Sequence, residues 1–382
     1  MKIGILTYHN IPNIGATLQA YALWKVLNSI GLRAEIIDYK CENIIKRELT
    51  FHPRKNFLKT FFLHKFIWPH TQRRIQGCLS FMQAQHCFSN VSYTKENISE
   101  ANKKYDGFIS GSDMIWHRDI NGYDDTFFLS FVQPNKKKYS YASSIGDIWK
   151  ESELPHIKDL LSKYDFRSAR EEDTASFITQ NLNLPTQWVA DPTMLLNSQH
   201  WQEFTQEVPY KNYVLVYFPY TDILNAARCY ARQHNKRLLV INNGLHIFGE
   251  KNIRINNPQQ WLSYICYADA VFTDSYHGLL FSLYFERPVW THNTSNRLQS
   301  ILKRFNIEYR FIPKDEQLKS FLDYSEVKPL LSNFRKESMQ FLYKIAKDFA
   351  GNTLCLSKES KNSTNCSGCS SCQKKLSETD VC

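Results

Sequence analysis

The sequence predicts an α/β protein built as two Rossmann-like doubly wound domains facing a cleft. Three observations carry this. Residues 2–39 read strand, Gly-bearing turn, helix, strand, the opening of a doubly wound sheet. A second strand–helix alternation starts near residue 213. The chain has 382 residues, enough for two domains at ~150 residues each.

Taken in order, Lys2–Tyr8 is an apolar strand and His9–Gly15 a turn rich in Asn, Pro and Gly. Ala16–Ile30 is a helix by the spacing of Leu18, Ala22, Leu23, Val26, Leu27 and Ile30, closed by Gly31, and Ala34–Tyr39 is the second strand. Residues 40–100 break the rhythm with a basic–aromatic insertion. Lys46, Arg47, Arg54, Lys55, Lys59, Lys65, Arg73 and Arg74 face a single acid, Glu48, with Phe51, Phe57, Phe61, Phe62, Phe66 and Trp68 interleaved. Strands resume at 107–110, 138–143, 166–168 and 187–190, and Asp191-Pro192-Thr193 reads as a boundary. The first domain is therefore expected over 1–195. The second, expected over 196–350, predicts strands at 213–218, 237–241, 270–273 and 288–291. Its helices are expected at 222–233, 258–268 (capped by Asn257), 277–285 and 296–305, with a long closing helix at 323–349. Residues 351–382 read as a flexible Cys-rich tail.

Hydrophobic residues at 43% and charged residues at 22% exclude disordered, collagen-like and low-complexity classes. No run approaches the ~18 apolar residues of a membrane span, and the N-terminus lacks the apolar core of a signal peptide. The expected location is cytoplasmic. A net charge of +10 favours acidic partners. No nucleic-acid recognition motif is present, so an anionic lipid surface or small anion fits better. The insertion at 46–74 is the segment expected to meet the inner face of the membrane.

In doubly wound sheets, ligands sit at the carboxyl ends of strands, so the informative residues are those just after strands. The turn His9–Thr17 opens a helix and is an anion site by its free N–H groups, with Gly15 and Thr17 as its binding candidates. It is neither G-x-G-x-x-G nor a P-loop, so Asp38, where a ribose-binding acid would stand, lacks the fingerprint that would make it one. Asp113, in Gly111-Ser112-Asp113, brings a carboxylate to a strand end, suited to activating a hydroxyl. Arg170 leaves the end of a short strand, where it can clamp a carboxylate or phosphate. His277, in Thr273-Asp274-Ser275-Tyr276-His277-Gly278, lies at a strand-to-helix switch and suits acid–base work beside an anion. Ser275 and Gly278 flank it as binding candidates.

Six stretches, in order, resemble the polysaccharide pyruvyl transferases: Asn13–Leu23, Gly111-Ser112-Asp113 with Trp116, Tyr141–Gly146, Ser168-Ala169-Arg170-Glu171, Asp191-Pro192-Thr193, and Thr273–Gly278 with Pro288 beyond. They cover about residues 2–300. The resemblance implies a fold like glycosyltransferase type B. It also implies transfer of pyruvyl from phosphoenolpyruvate to two hydroxyls of a sugar, giving a pyruvate ketal in capsule, exopolysaccharide, O-antigen or cell-wall polymer synthesis. The donor would be phosphoenolpyruvate and the acceptor a lipid-linked or polymer-precursor sugar, with no cofactor or metal required. The family's arginine and histidine fall on Arg170 and His277. Many members carry a further arginine two residues before the histidine. Here that position is Ser275, and Arg297, Arg287 or His292 are the candidate substitutes, with Arg297 placed best at a helix start. Two other readings compete: a nucleotide-sugar glycosyltransferase of the same shape, and a non-catalytic or redox accessory protein using the tail.

The tail carries Cys366, Cys369 and Cys372 as C-x2-C-x2-C, with Leu376 where a ferredoxin run has its fourth Cys and Cys382 at the end. A degenerate remnant is the leading reading. A zinc site completed by Cys382 or Cys355 is the next, and a working iron–sulfur cluster the third.

Overall fold

The computed structural model describes residues 1–52, 57–242, 244, 246–292, 295–312 and 322–351. The Cys-rich tail lies outside the described residues.

The first sheet contains β1 (Lys2–Leu6), β2 (Arg33–Tyr39), β3 (Phe88–Tyr93), β4 (Gly107–Ser110) and β5 (Lys137–Ser140), ordered β3-β2-β1-β4-β5. All pairs are parallel. The short strands β6 (Ser168–Ala169) and β7 (Gln187–Trp188) pair with each other and join β5 through the Tyr139–Phe166 and Ser143–Ala169 bridges. The second sheet contains β8 (Tyr213–Tyr217), β9 (Arg237–Ile241), β10 (Lys251–Ile253), β11 (Ala270–Thr273) and β12 (Val289–Trp290). Its order, β10-β9-β8-β11-β12, repeats that of the first, again all parallel. The expected pair of Rossmann-like sheets is therefore present. Each sheet reverses direction between its first and fourth strands, and these switch points are where ligands enter such sheets.

Helix α1 (Ile14–Ser29) starts where Asn13 caps it by accepting from the Ala16 N–H at 3.3 Å. Most of its residues are buried because it is packed on both sides: the first sheet on one, the second domain on the other. A single apolar core accordingly runs from Ile3 through Leu18 to Leu215 and Leu279, which fixes the two sheets relative to each other.

The insertion lies between β2 and β3. It contains short helices at Glu42–Ile44 and Phe57–Phe62, π-helical turns at Ile45–Leu49 and Leu63–Ile67, and helix α2 (Trp68–Ala84). The strand β3 that ends it was not expected from sequence, since FSNVSY alternates weakly. Helix α2 crosses to the second domain, where Gly77 lies against the Asn256 carbonyl just ahead of α3 (Pro258–Cys266). A methyl group on Gly77 would collide with that oxygen. Gly77→Ala is expected to cost about 1–3 kcal/mol, as overpacking of a tight contact does, read by urea denaturation.

Helix α4 (Tyr276–Tyr284) follows β11, α5 (Asn296–Arg304) follows β12, and α6 (Tyr324–Ala350) closes the chain. Helix α6 straddles both domains. Tyr324 donates to the Arg287 carbonyl at 2.7 Å at one end, and Asp348 accepts from Tyr139 at 2.6 Å at the other. Between them Ser338 accepts from the Ala190 N–H at 2.8 Å. Among the described residues no helix is long and apolar enough to cross a membrane.

Candidate functional site

The loops after β1, β4, β6, β8 and β11 converge on a cleft of about 440 Å³ between the domains. Both switch points open into it, so His277, Asp113, Arg170, Gly15, Ser275 and Arg297 all border one space.

Arg170 is the innermost cation, 2 % exposed. Its Nε donates to Glu171 at 3.0 Å, its Nη1 to Asp191 at 3.4 Å, and Asp113 lies 3.8 Å away. The Tyr276 ring underlies the guanidinium at 4.7 Å. Burying a guanidinium costs several kcal/mol unless carboxylates offset it. Burial works to lower its pKa here, and Glu171, Tyr276, Asp113 and Asp191 outweigh that and raise it, so Arg170 stays charged. Yet its Nη2 is buried with no hydrogen-bond partner. A buried charged donor without an acceptor is rare in a folded protein, and at the wall of a cleft it marks where an anion fits.

Asp191, expected as a boundary and as part of a family stretch but not as a site residue, organises the cluster. Its Oδ1 accepts from the Thr193 N–H at 2.9 Å and hydroxyl at 2.7 Å. Its Oδ2 faces Arg170, Ser112 (3.4 Å) and His277 Nε2 (3.5 Å). Burial alone would raise this carboxyl, but the adjacent His277 and Arg170 hold it well below the usual carboxylate range. The ionised Asp191 faces the His277 ring from one side, 3.5 Å from an Nε2 that is buried without a hydrogen-bond partner. Gly15 determines the other: a methyl there would overlap the ring at Nδ1. The glycine in the first turn of α1 is thus needed for room. Gly15→Ala is expected to displace His277 and lower kcat by roughly 10²-fold, the cost of about 1 Å of misplacement, measured as initial rates.

Asp113 stands in the left-handed region at φ 75°. That conformation is held because its carbonyl accepts from the Ile115 and Ser144 N–H groups at 2.8 and 3.0 Å, while its Oδ1 accepts from the Met114 N–H at 2.9 Å. Strain of this kind concentrates at functional sites. The carboxylate borders the cleft, consistent in position with a group that meets an incoming hydroxyl.

Two expectations need correction. Thr17 does not reach the cleft; it is fully buried in α1 and its hydroxyl donates to the Asn13 carbonyl at 3.1 Å. Gly278 is also enclosed, packed on Thr273, with its N–H donated to Ser275 Oγ at 3.1 Å. Ser275 borders the cleft, but its hydroxyl is committed as that N-cap of α4. Asp38 is bound by His9 and Lys40 at 3.0 and 2.7 Å, a structural network. Asp274 Oδ1 accepts from the Thr291 hydroxyl and the His292 N–H at 2.9 and 2.7 Å, tying β11 to β12, so the strand-end acid of a nucleotide-sugar site is occupied.

Of the candidate substitutes for the arginine absent at 275, Arg297 enters the cleft from the first turn of α5, its Nη1 3.4 Å from Met114 Sδ. His292 instead faces Asp222 at 3.5 Å and stacks on Phe311, and Arg287 is not at the cleft wall. A cation the sequence did not single out, Arg74 of α2, also borders the cleft, and its Nε is buried without a partner. Burial lowers its pKa from the ordinary value, so it favours a bound anion over a dry site. The opposite wall is aromatic: Tyr217, Phe218 and Trp261. Phe218 adopts φ 63°, an outlier for so bulky a residue, and the Trp261 Nε1–H has no partner.

Among the described residues, no group of three or more His, Cys, Asp or Glu side chains is placed to hold a metal ion.

A comparison with curated proteins gave no match. Among solved structures, a protein described as a UDP-N-acetylglucosamine 2-epimerase from Listeria monocytogenes aligns at 11% identity over 88% of this chain and 89% of that one, with a TM-score of 0.47. The UDP-GlcNAc 2-epimerase of Neisseria meningitidis aligns at 10% identity over 94% and 99%, with a TM-score of 0.45. The family model for polysaccharide pyruvyl transferase matches residues 13–296, from the N-cap of α1 to the start of α5. The chain belongs to the polysaccharide pyruvyl transferase family.

Proposed function

We propose that the cleft binds phosphoenolpyruvate and transfers its pyruvyl unit to two hydroxyls of a sugar, forming a pyruvate ketal for a bacterial surface polysaccharide. The observation that carries the donor assignment is the pair of buried, unpartnered guanidinium donors, Arg170 Nη2 and Arg74 Nε, on the wall of one cleft. Phosphoenolpyruvate carries about three negative charges near neutral pH, and its carboxylate and phosphate match separate guanidinium forks. Arg297 and the N-terminus of α4 add positive potential on the same side.

The transfer balances without a cofactor. A proton adds to the methylene carbon and C2 becomes cationic; a sugar hydroxyl attacks C2; the C–O bond to phosphate breaks; a second hydroxyl closes the ketal. One hydroxyl proton ends on the new methyl group and the other on phosphate. His277, beside Asp191 at 3.5 Å, is the group that delivers and receives protons beside the leaving phosphate. Asp113, 3.8 Å from Arg170, orients or deprotonates the acceptor hydroxyl. The cleft is larger than a three-carbon phosphate ester fills. Phe218 and Trp261 supply an apolar face and a free N–H donor for the acceptor's ring.

Calorimetric titration with phosphoenolpyruvate tests the donor assignment. Wild type is expected to bind. Arg74→Ala is expected to weaken binding about 10- to 100-fold, the loss of one charge-assisted contact, with kcat at saturating donor changed less than about tenfold. Wild type with no affinity for phosphoenolpyruvate would contradict it.

A further inference from the structure

The helical run of 57–84 carries, ahead of Arg74, a surface that the chemistry of the cleft does not use. Phe61, Phe62 and Phe66 expose 55%, 46% and 46% of their surface to solvent. Positions 61, 62, 65 and 66 share one face of the run, and the Phe62 and Phe66 rings lie 4.7 Å apart. The Lys65 ammonium stands over both Phe61 and Phe66, at 5.7 and 5.8 Å from their centroids. Exposed Arg73 follows on the same helix, and Arg254 of the second domain donates to the Phe66 carbonyl at 3.4 Å. The one acid of the 46–74 segment, Glu48, borders the cleft instead and is paired with Arg47 at 3.0 Å.

We propose that this face docks the protein on an anionic lipid bilayer, with the three phenylalanines entering the interface and Lys65 and Arg73 meeting headgroup phosphates. Aromatics interleaved with cations are the composition that binds membrane surfaces. A few aromatic side chains are too small an area for a stable protein contact, which needs ~800 Å² per partner, but they suffice for interfacial insertion when basic residues add attraction. Eight positions of helix separate Phe66 from Arg74, about 12 Å at 1.5 Å per residue. Docking therefore sets the cleft within reach of molecules anchored in the same bilayer. The proposal is independent of the reaction assigned to the cleft.

The test is co-sedimentation of the full chain with vesicles of phosphatidylcholine alone and of phosphatidylcholine mixed with phosphatidylglycerol, at low and high salt. The expected result is at least about tenfold tighter binding to the anionic vesicles, weakened by salt. The Phe61→Ser/Phe62→Ser/Phe66→Ser variant should lose it, with its circular dichroism and phosphoenolpyruvate binding unchanged. Lys65→Glu should weaken binding to anionic vesicles alone. Absence of wild-type binding at low salt would overturn the proposal, as would equal binding by the triple variant. A dimer that the triple variant abolishes, in protein that ignores vesicles, would assign the face to a second copy instead.

Discussion

Asp191→Asn is expected to lose about 3–5 kcal/mol of stability at neutral pH, the cost of breaking a buried ion pair from one side, together with most of the activity. The amide oxygen can still accept from Thr193, so the cap of the following short helix survives and the change isolates the charge. What is lost is the carboxylate that faces both Arg170 and His277. Arg170 would then lean on Glu171 and Asp113, and the His277 ring would lose the carboxylate that faces it. The pH dependence has a definite sign. The folded pKa of Asp191 lies below its unfolded value, so its contribution is fully present above the ordinary carboxylate pKa near 4 and is lost as pH falls through the folded value. The gap between wild type and variant should therefore be widest at neutral pH and shrink below about pH 4. Urea denaturation at both ends of that range reads it. A gap that stays constant or widens on acidification would mean that Asp191 is not held ionised by its neighbours.

His277→Ala is expected to lower kcat by about 10²- to 10⁴-fold, the range for removing a positioned acid–base group, while phosphoenolpyruvate still binds through Arg170 and Arg74. The contact with Gly15 gives this prediction a second arm. If Gly15→Ala acts by pushing the imidazole aside, it has nothing left to displace once the ring is gone. The Gly15→Ala/His277→Ala double variant should then be no slower than His277→Ala alone, a non-additivity that marks two residues acting through one another. Additive losses would mean that Gly15→Ala does not act through the imidazole.

These residues show what local pattern can and cannot carry. The repeated strand–helix rhythm located β1, β2, β4, β8, β9 and β11, because parallel strands covered on both faces read as short apolar runs. It did not reveal β3, whose weak alternation follows an irregular insertion, or the three-residue β10. The strand-end rule brought out Asp113, Arg170 and His277, since topology alone sends those positions to the cleft. Asp191 was visible as a boundary, Asp-Pro-Thr, and as one of the six family stretches. It caps a short helix, and the same carboxylate also faces the site, which no local signal distinguishes. Arg74 was submerged in a basic run, and its role depends on α2 crossing to the second domain. The partner of Gly15 lies 262 positions away in sequence, so its tight fit against His277 could not be read locally. Ser275 and Gly278, adjacent to His277 in sequence, turned out to form the cap that places it.

The most direct test of the central claim is to follow phosphoenolpyruvate and a hydroxyl-bearing oligosaccharide pool from the source cell together, measuring phosphate release and the product by mass spectrometry. The expected result is acceptor-dependent phosphate release matched by ketal-linked pyruvate on the sugar, both abolished in His277→Ala and Arg170→Ala. Phosphate release with no pyruvylated sugar, or turnover that survives both substitutions, would contradict it.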